Sequence, residues 1–239
     1  MYYNIAKFIL SLIDLRNKKK ICNYFLKENK GRIETLIDVG AHRGESIRFF
    51  NKYFSVHKIY AFEPRIDNFE ILKKNTKNLN NIKIFNLALG DKKGYADFYN
   101  HYDSESSTIV KINQNSSYFK KKNLYLNFLN LKKGSTKNTT VEVDTLDNLL
   151  NLEKLEFIDL VKIDTEGYDF HVLKGLGKLI TKVKFIYFEH HFHNMLVKDY
   201  KFCDIDNFLK SKNFKKVFKT KMFFRKTFEY IYKNNSLNK

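Results

Sequence analysis

The stretch Leu36-Ile37-Asp38-Val39-Gly40-Ala41-His42-Arg43-Gly44 decides how this chain folds. Thr35 to Val39 is a short apolar run that stops at a glycine, the pattern of a strand buried on both faces of a parallel sheet. Gly40 and Gly44 frame a turn, and a helical stretch follows from Gly44 to about Tyr53. Glycine lets the backbone reverse sharply and lets another group approach closely, while the start of the helix presents unsatisfied N–H groups. Strand, glycine turn and helix in this order open a βαβ unit.

The same rhythm continues on either side. Lys58–Phe62 reads as the next strand, ending at Glu63-Pro64, with a helix from about Asp67 to Lys77. Ile82–Leu87 is a third strand, ending near Gly90-Asp91. The alternation resumes with a strand at Ile158–Ile163, a helix from about Phe170 to Leu179, a strand at Phe185–Phe188 and a helix from about Ile205 to Lys212. Strands near 215–218 and 227–232 are placed to form an antiparallel hairpin at the sheet edge. Elements of this length and order specify an α/β fold around a parallel sheet. Between about 94 and 143 the pattern breaks: Gly94–Tyr99 and Thr139–Val143 read as extra strands, and 102–137 as a long loop or small cap. Residues from about 4 to 30 read as helical, with Ile5, Phe8, Ile9, Leu12, Ile21, Phe25 and Leu26 at mixed three- and four-residue spacing. The expected organisation is an N-terminal helical extension over 1–33 and one domain over 34–239, decorated by the insertion at about 94–143.

Composition narrows the function classes. Apolar residues make up 43% of 239 residues, enough for one well-packed domain, and 9 glycines with a single proline exclude collagen-like and linker-rich designs. The net charge of +18 invites a nucleic-acid partner, yet the lysines are scattered along the chain among many Asn and Ile, which argues for a compositional bias over a binding face. Cys22 and Cys203 lie far apart and form no metal-binding or disulfide framework, which favours a reducing compartment. The apolar run Phe8–Ile13 is too short for a membrane span, Asp14 interrupts it, and no cleavage site follows, so the expected location is cytoplasmic.

In an open α/β sheet, ligands bind beyond the carboxyl ends of the strands. There the sequence places Asp38-x-Gly40-x-x-x-Gly44 after the first strand and Glu63, nineteen residues beyond Gly44, after the second. An acid in that second position can accept hydrogen bonds from both hydroxyls of an adenosine ribose. A dinucleotide would require G-x-G-x-x-G, but Ala41-His42-Arg43 separates the two glycines and the middle one is missing. The Asp38 carboxylate would repel a pyrophosphate and suits an ammonium group. The ligand these features select is S-adenosylmethionine (SAM), which has an amino-acid tail and no phosphates.

Five segments in order strengthen this reading: Leu36–Gly44, Ala61-Phe62-Glu63-Pro64, Asn86-Leu87-Ala88-Leu89-Gly90-Asp91, Asp144-Thr145-Leu146-Asp147 and Val161-Lys162-Ile163-Asp164-Thr165-Glu166-Gly167. Together they resemble the FkbM family of SAM-dependent methyltransferases over about Leu36 to Glu189. The resemblance implies a Rossmann-like class I methyltransferase with a seven-stranded, mostly parallel sheet, and methylation of oxygen on a sugar, a glycan or another small molecule. It assigns Asp38, Gly40 and Gly44 to the methionine end of SAM, Glu63 to the ribose and the turn after Asn86 to the adenine side; Ala41, His42, Pro64 and Ala88 beside them are further cofactor-binding candidates. Two positions depart from the family pattern: His42 stands where Asn is frequent, and Tyr168 replaces an acid that here falls at Asp169.

Methyl transfer to a hydroxyl needs alignment of the acceptor and profits from a general base. Asp164 and Glu166 end the fourth strand, and adjacent carboxylates raise one another's pKa. Glu189-His190-His191-Phe192-His193 ends the fifth, and His190 is the natural base near neutral pH. The catalytic candidates are therefore Asp164, Glu166 and His190, with His191 and His193 beside them; the spacing gives no metal motif. Arg225 and the segment Ser104–Thr108 are further candidates for the acceptor pocket. An RNA ribose methyltransferase and a non-catalytic SAM-binding interaction module are the competing readings. A base-amine methyltransferase is disfavoured, because the fourth strand is not followed by an Asp/Asn-Pro-Pro-aromatic loop.

Overall fold

The computed structural model describes residues 2–101, 107–128, 138–150, 155–223 and 225–237, and the side chains of all of these but 2–15, 125, 126 and 128. A long helix α1 (Tyr2–Asn29) leads into β1 (Arg32–Val39), α2 (Glu45–Tyr53), β2 (Ser55–Phe62), α3 (Ile66–Thr76) and β3 (Ile82–Phe85). The second half carries β7 (Ile158–Ile163), α6 (Asp169–Lys174), β8 (Val183–His191), α7 (Phe202–Ser211), β9 (Phe214–Lys221) and β10 (Thr227–Asn234). Between the halves lie β4 (Ala88–Leu89), β5 (Gly94–Phe98), α4 (Ser117–Phe128), β6 (Thr139–Asp144) and α5 (Leu146–Leu150).

The main sheet has seven strands in the order β3-β2-β1-β7-β8-β10-β9. The first five run parallel, and β10 pairs antiparallel with both β8 and β9. This is the α/β Rossmann-like architecture that the sequence implies, with the C-terminal hairpin at the edge and its second strand inserted next to β8. The chain moves outward from β1 to β3 and then returns to β7 on the other side. That reversal opens a crevice at the carboxyl ends of β1 and β7, where such sheets hold ligands.

Both faces of the sheet are covered, which is why its central strand β7 is buried at all six positions. One face packs Ile37, Val39, Val161, Ile163, Ile186 and Phe188 against α5, α6 and α7. The other packs Leu36, Ile59, Leu160, Phe185 and Ile231 together with Ile47 and Phe50 of α2 and Ile21 and Phe25 of α1. The leading helix thus shares a core with the sheet. The C-terminal hairpin holds it there: Asn17 donates to the Lys221 carbonyl (2.9 Å), and Lys233 pairs with Glu28 (2.8 Å).

The N-terminal region is helical as expected, over Tyr2–Asn29, and three local features differ from the expectations. The helix expected over 170–179 is the shorter α6 followed by a 3-10 turn at Gly177–Lys182. Gly175 is the C-cap of α6, and only glycine fits there, since a Cβ at that position would lie 1.9 Å from the Gly90 carbonyl oxygen. Fifth-strand pairing extends to Val183–His191, which carries Glu189 and His190 within the strand. The insertion is more ordered than a loop: β5 and β6 join β4 in a separate three-stranded sheet, and α4 follows two isolated bridges.

Candidate active site

The turn after β1 is built by backbone geometry. Gly40 has φ +76°, and a Cβ on it would lie 2.0 Å from the Asp164 carbonyl oxygen, so only glycine lets the ends of β1 and β7 meet. The N–H groups of Gly40 and Ala41 both donate to the Phe62 carbonyl at 3.0 Å. His42 also has positive φ, and its N–H donates to Glu63 Oε2 (2.9 Å), while the Arg65 N–H donates to Oε1 (3.0 Å). Glu63 is therefore buried and oriented by two backbone donors; burial pushes its pKa up, and those donors oppose the shift. Asn86 donates to the carbonyls of Glu63 (2.9 Å) and Pro64 (3.1 Å), so it ties down the β2 turn. Gly44 (φ +85°) precedes α2 and packs beneath it against Leu72.

Asp38 is fully buried, and its charge is met inside the protein. Lys162 of β7, the register partner of Asp38, places its Nζ 3.1 Å from Oδ1, and the Ser46 hydroxyl donates to Oδ2. The same ammonium lies 3.5 Å from Asp164 Oδ2. Burial works against the charge of Lys162, but Asp38 and then Asp164 outweigh it and hold the ammonium above its usual range. Burial raises Asp38, with Lys162 opposing. The carboxylate that was expected to face an ammonium on a ligand thus faces one from its own chain, and it orients Asp164 through that lysine.

Strand parity sorts the residues of β8. Side chains alternate between faces. Tyr187 and Glu189 point to the face that carries Asp38 and Lys162, and Glu189 pairs in register with Glu229 of β10. The Tyr187 hydroxyl donates to Glu229. Burial and then the charges of Asp164, Glu229 and Glu166 push the Glu189 carboxyl well above the usual range; Arg225 opposes them. His190 points the other way, among Phe192, Tyr200 and Phe202, with Lys198 Nζ 3.3 Å from its Nε2. Burial and then Lys198 push His190 down to about 3. His191 sits behind Glu166, its Nε2 3.5 Å from Oε2, and His193 stacks on Tyr118.

The main cavity, about 320 Å³, opens at these strand ends. Gly40, Ala41, His42, Glu63, Pro64 and Ala88 line one end, and Asp164, Glu166, Glu189, Arg225 and Glu229 line the other. Asp38, Gly44 and Asn86 support the first end from behind, and His190, His191 and His193 do not reach the cavity. Ser107 lines it from the insertion and accepts from Arg65 Nη1 (3.0 Å), whereas Ser104–Ser106 and Phe224 lie outside the described residues. Asn17, Lys18 and Ile21 of α1 close the inner wall. Sequence reasoning gives no role to Lys162, Glu189, Glu229 or Asn17, although Lys162 lies within the segment Val161–Gly167 and Glu189 heads the run to His193. The signal that could have found the first is a lysine near the end of a strand buried at every position; for Glu189 it is the two-residue period. Among the described residues no group of three or more His, Cys, Asp or Glu is arranged to hold a metal, and no helix is long and apolar enough to cross a membrane.

Comparison with known proteins agrees with this architecture. The family model described as the methyltransferase FkbM domain matches residues 38–216. The 2-O-methyltransferase NoeI of Sinorhizobium fredii is 25% identical over 155 residues, and the match spans 65% of this chain and 62% of that protein's length. Among solved structures, the FkbM methyltransferase of Methylobacillus flagellatus superposes with a TM-score of 0.55 at 14% identity, covering 84% of this chain and 43% of that one. Magnesium protoporphyrin IX methyltransferase of Synechocystis, solved with bound SAM, gives 0.50 at 8% identity over 94% of this chain and 81% of its own. With the family domain matched from Asp38 to Lys216, and with its fold in place, this chain belongs to the FkbM family of SAM-dependent methyltransferases.

Proposed function

We propose that this protein transfers the methyl group of SAM to a hydroxyl of a sugar, a glycan or another small molecule. The observation that carries this reading is one continuous cavity with a glycine turn and a buried acid at one end and carboxyl groups from adjacent strands at the other. The donor end fits the cofactor on its own chemistry. Gly40 leaves a cradle that any Cβ would fill, and each oxygen of Glu63 accepts one backbone N–H and keeps capacity for a ribose hydroxyl. When bound, the cofactor supplies an electrophilic methyl on a sulfonium and leaves as a neutral thioether.

The residues of the chain align the acceptor and handle its proton. Asp164, held by Lys162, takes the hydroxyl proton as the oxygen gains the methyl. Glu189, kept protonated by burial and by its acidic neighbours, holds the acceptor oxygen by hydrogen bonding. Glu166 and Glu229 complete an acidic wall. Among the described lining residues the carboxyl groups Glu45, Glu63, Asp164, Glu166, Glu189 and Glu229 outnumber the cations Lys18, Lys162 and Arg225. An acidic pocket in a chain of net charge +18 favours a neutral, hydroxyl-rich acceptor over a polyphosphate strand. The relative named as a 2-O-methyltransferase supports the same choice.

The test is formation of S-adenosylhomocysteine from SAM with a panel of mono- and oligosaccharides, run beside an RNA transcript. Turnover with a saccharide, and SAM affinity lowered by about 1–3 kcal/mol in Glu63→Gln, is the expected result. Turnover with RNA alone, or unchanged SAM affinity in a folded Glu63→Gln protein, would overturn the reading.

A further inference from the structure

A second cavity, about 230 Å³, lies at the seam between the insertion and the end of β8 and shares no lining residue with the first. Ser117, Tyr118 and Lys121 come from the first turns of α4, His193 and Asn194 follow β8, and Lys226 precedes β10. The seam is fixed by backbone: Asn113 N–H donates to the Met195 carbonyl (2.7 Å) and Val197 N–H to the Lys111 carbonyl (2.9 Å).

Every polar feature of this cavity suits a negative guest. Ser116 caps α4, its hydroxyl accepting from the Phe119 N–H (3.1 Å), and the N–H groups of the first turn have no acceptor within the helix. Neither Lys121 nor Lys226 has an acid within salt-bridge range among the described residues, and none of the lining residues is acidic. His193 is the independent observation. It is 8% exposed, its ring stacks on Tyr118 at 4.0 Å, and its Nδ1 has no hydrogen-bond partner in another described residue. A buried polar atom left unpaired is costly, and natural proteins supply such atoms with a partner.

We propose that this cavity binds a phosphate oxyanion, held by Lys121, Lys226 and the first turn of α4, with His193 Nδ1 as a donor once protonated. Tyr118 and the half-exposed Phe192 give the guest an apolar flank, so a phosphate carried on a sugar ring fits better than the bare ion. Lys122 and Lys198, with Lys226, His190 and His191, surround His193 with positive or neutral groups, and burial with these charges lowers it to about 4. A bound anion reverses that field.

The full chain tests this by NMR of its histidine rings, titrated with inorganic phosphate and, separately, with glucose 1-phosphate, against sodium chloride at matched ionic strength. His193→Phe, which preserves the ring stack, identifies the His193 signal. The expected result is a saturable phosphate-specific shift of that signal and a titration midpoint raised by about one unit or more, since an adjacent opposite charge favours the imidazolium. Lys121→Ala/Lys226→Ala, both at exposed positions, is expected to weaken binding about tenfold or more through loss of two charge-assisted contacts. Tighter binding of glucose 1-phosphate marks the ring-bearing ligand as the guest; equal binding marks the free ion. A shift that chloride reproduces, or phosphate affinity unchanged in the double variant, overturns the site.

Discussion

Replacing Lys162 by Met removes the ammonium that, among the described residues, pairs with a carboxylate that has no access to water. In the parent protein Lys162 Nζ is 3.1 Å from Asp38 Oδ1, and Asp38 is 0% exposed. At an effective dielectric of about 20, that separation corresponds to an attraction of about 5 kcal/mol. The substitution also removes the cost of burying the lysine charge and leaves the Ser46 hydrogen bond in place, so the net loss is smaller, about 3–5 kcal/mol. A loss of that size is a large share of a typical domain's stability. It should also depend on pH in a defined direction. Burial already raises Asp38, and without Lys162 its folded-state pKa rises further above the unfolded value. Between those two values the folded protein binds more protons than the unfolded one, so the defect grows as pH rises and shrinks as pH falls. Urea unfolding of the parent and Lys162→Met at pH 7.5 and 5.5 measures both effects. Asp38→Asn in the same chain should recover much of the loss, because a neutral amide needs no counter-charge. A cost below about 1 kcal/mol at pH 7.5, or a double variant no more stable than Lys162→Met, would refute the argument.

Three further outcomes follow from the site. Gly40→Ala combines positive φ with overlap against the Asp164 carbonyl, so it should cost more than about 1 kcal/mol in urea unfolding and weaken SAM binding in calorimetry. Burial pushes the Glu189 carboxyl well above the usual range, so with Glu189 as the hydrogen-bond donor to the acceptor oxygen the rate with an accepted substrate should fall as pH rises through that group's titration, and Glu189→Gln should remove that limb from the pH–rate profile. His190→Phe should leave turnover near the parent's, because the ring packs on the face away from the cavity; a collapse of kcat with an unaltered thermal midpoint would return His190 to the chemistry.

The cavity wall formed by the turns after β1 and β2 was legible because its constraints are backbone constraints. A strand that must stop, two glycines that must turn and an acid at the next strand end leave marks in sequence order, and Gly40, Gly44 and Glu63 stand where those marks put them. The sheet order was legible for a similar reason, since β–α alternation with one handedness leaves few topologies. The wall formed by the ends of β7, β8 and β10 depends on which side of a strand a residue faces. In β8, Glu189 and His190 are neighbours in sequence, and the one with the more familiar catalytic chemistry lies on the face away from the main cavity. Histidine frequency near active sites says nothing about parity, whereas the two-residue period does. Lys162 was obscured differently: a charged residue in a buried strand makes sense only with Asp38 and Asp164, which lie 124 and 2 positions away. The part played by α1 could not be read at all, because the polar contacts that hold it are with residues about two hundred positions away.

Those long-range contacts bear on how the protein is made. Asn17 is bonded to Lys221 and Thr220, and Glu28 to Lys233, pairs separated by about two hundred residues. Synthesis proceeds from the N-terminus, so α1 emerges well before the hairpin that holds it and waits for it. Contacts of such long range form late and slow the search. Until then Ile21 and Phe25 have no complete surface to cover, and the inner wall of the cavity is missing. The main cavity is therefore finished only once β9 and β10 have been translated, and a chain interrupted before β9 would carry all five motif segments and still lack a closed cavity.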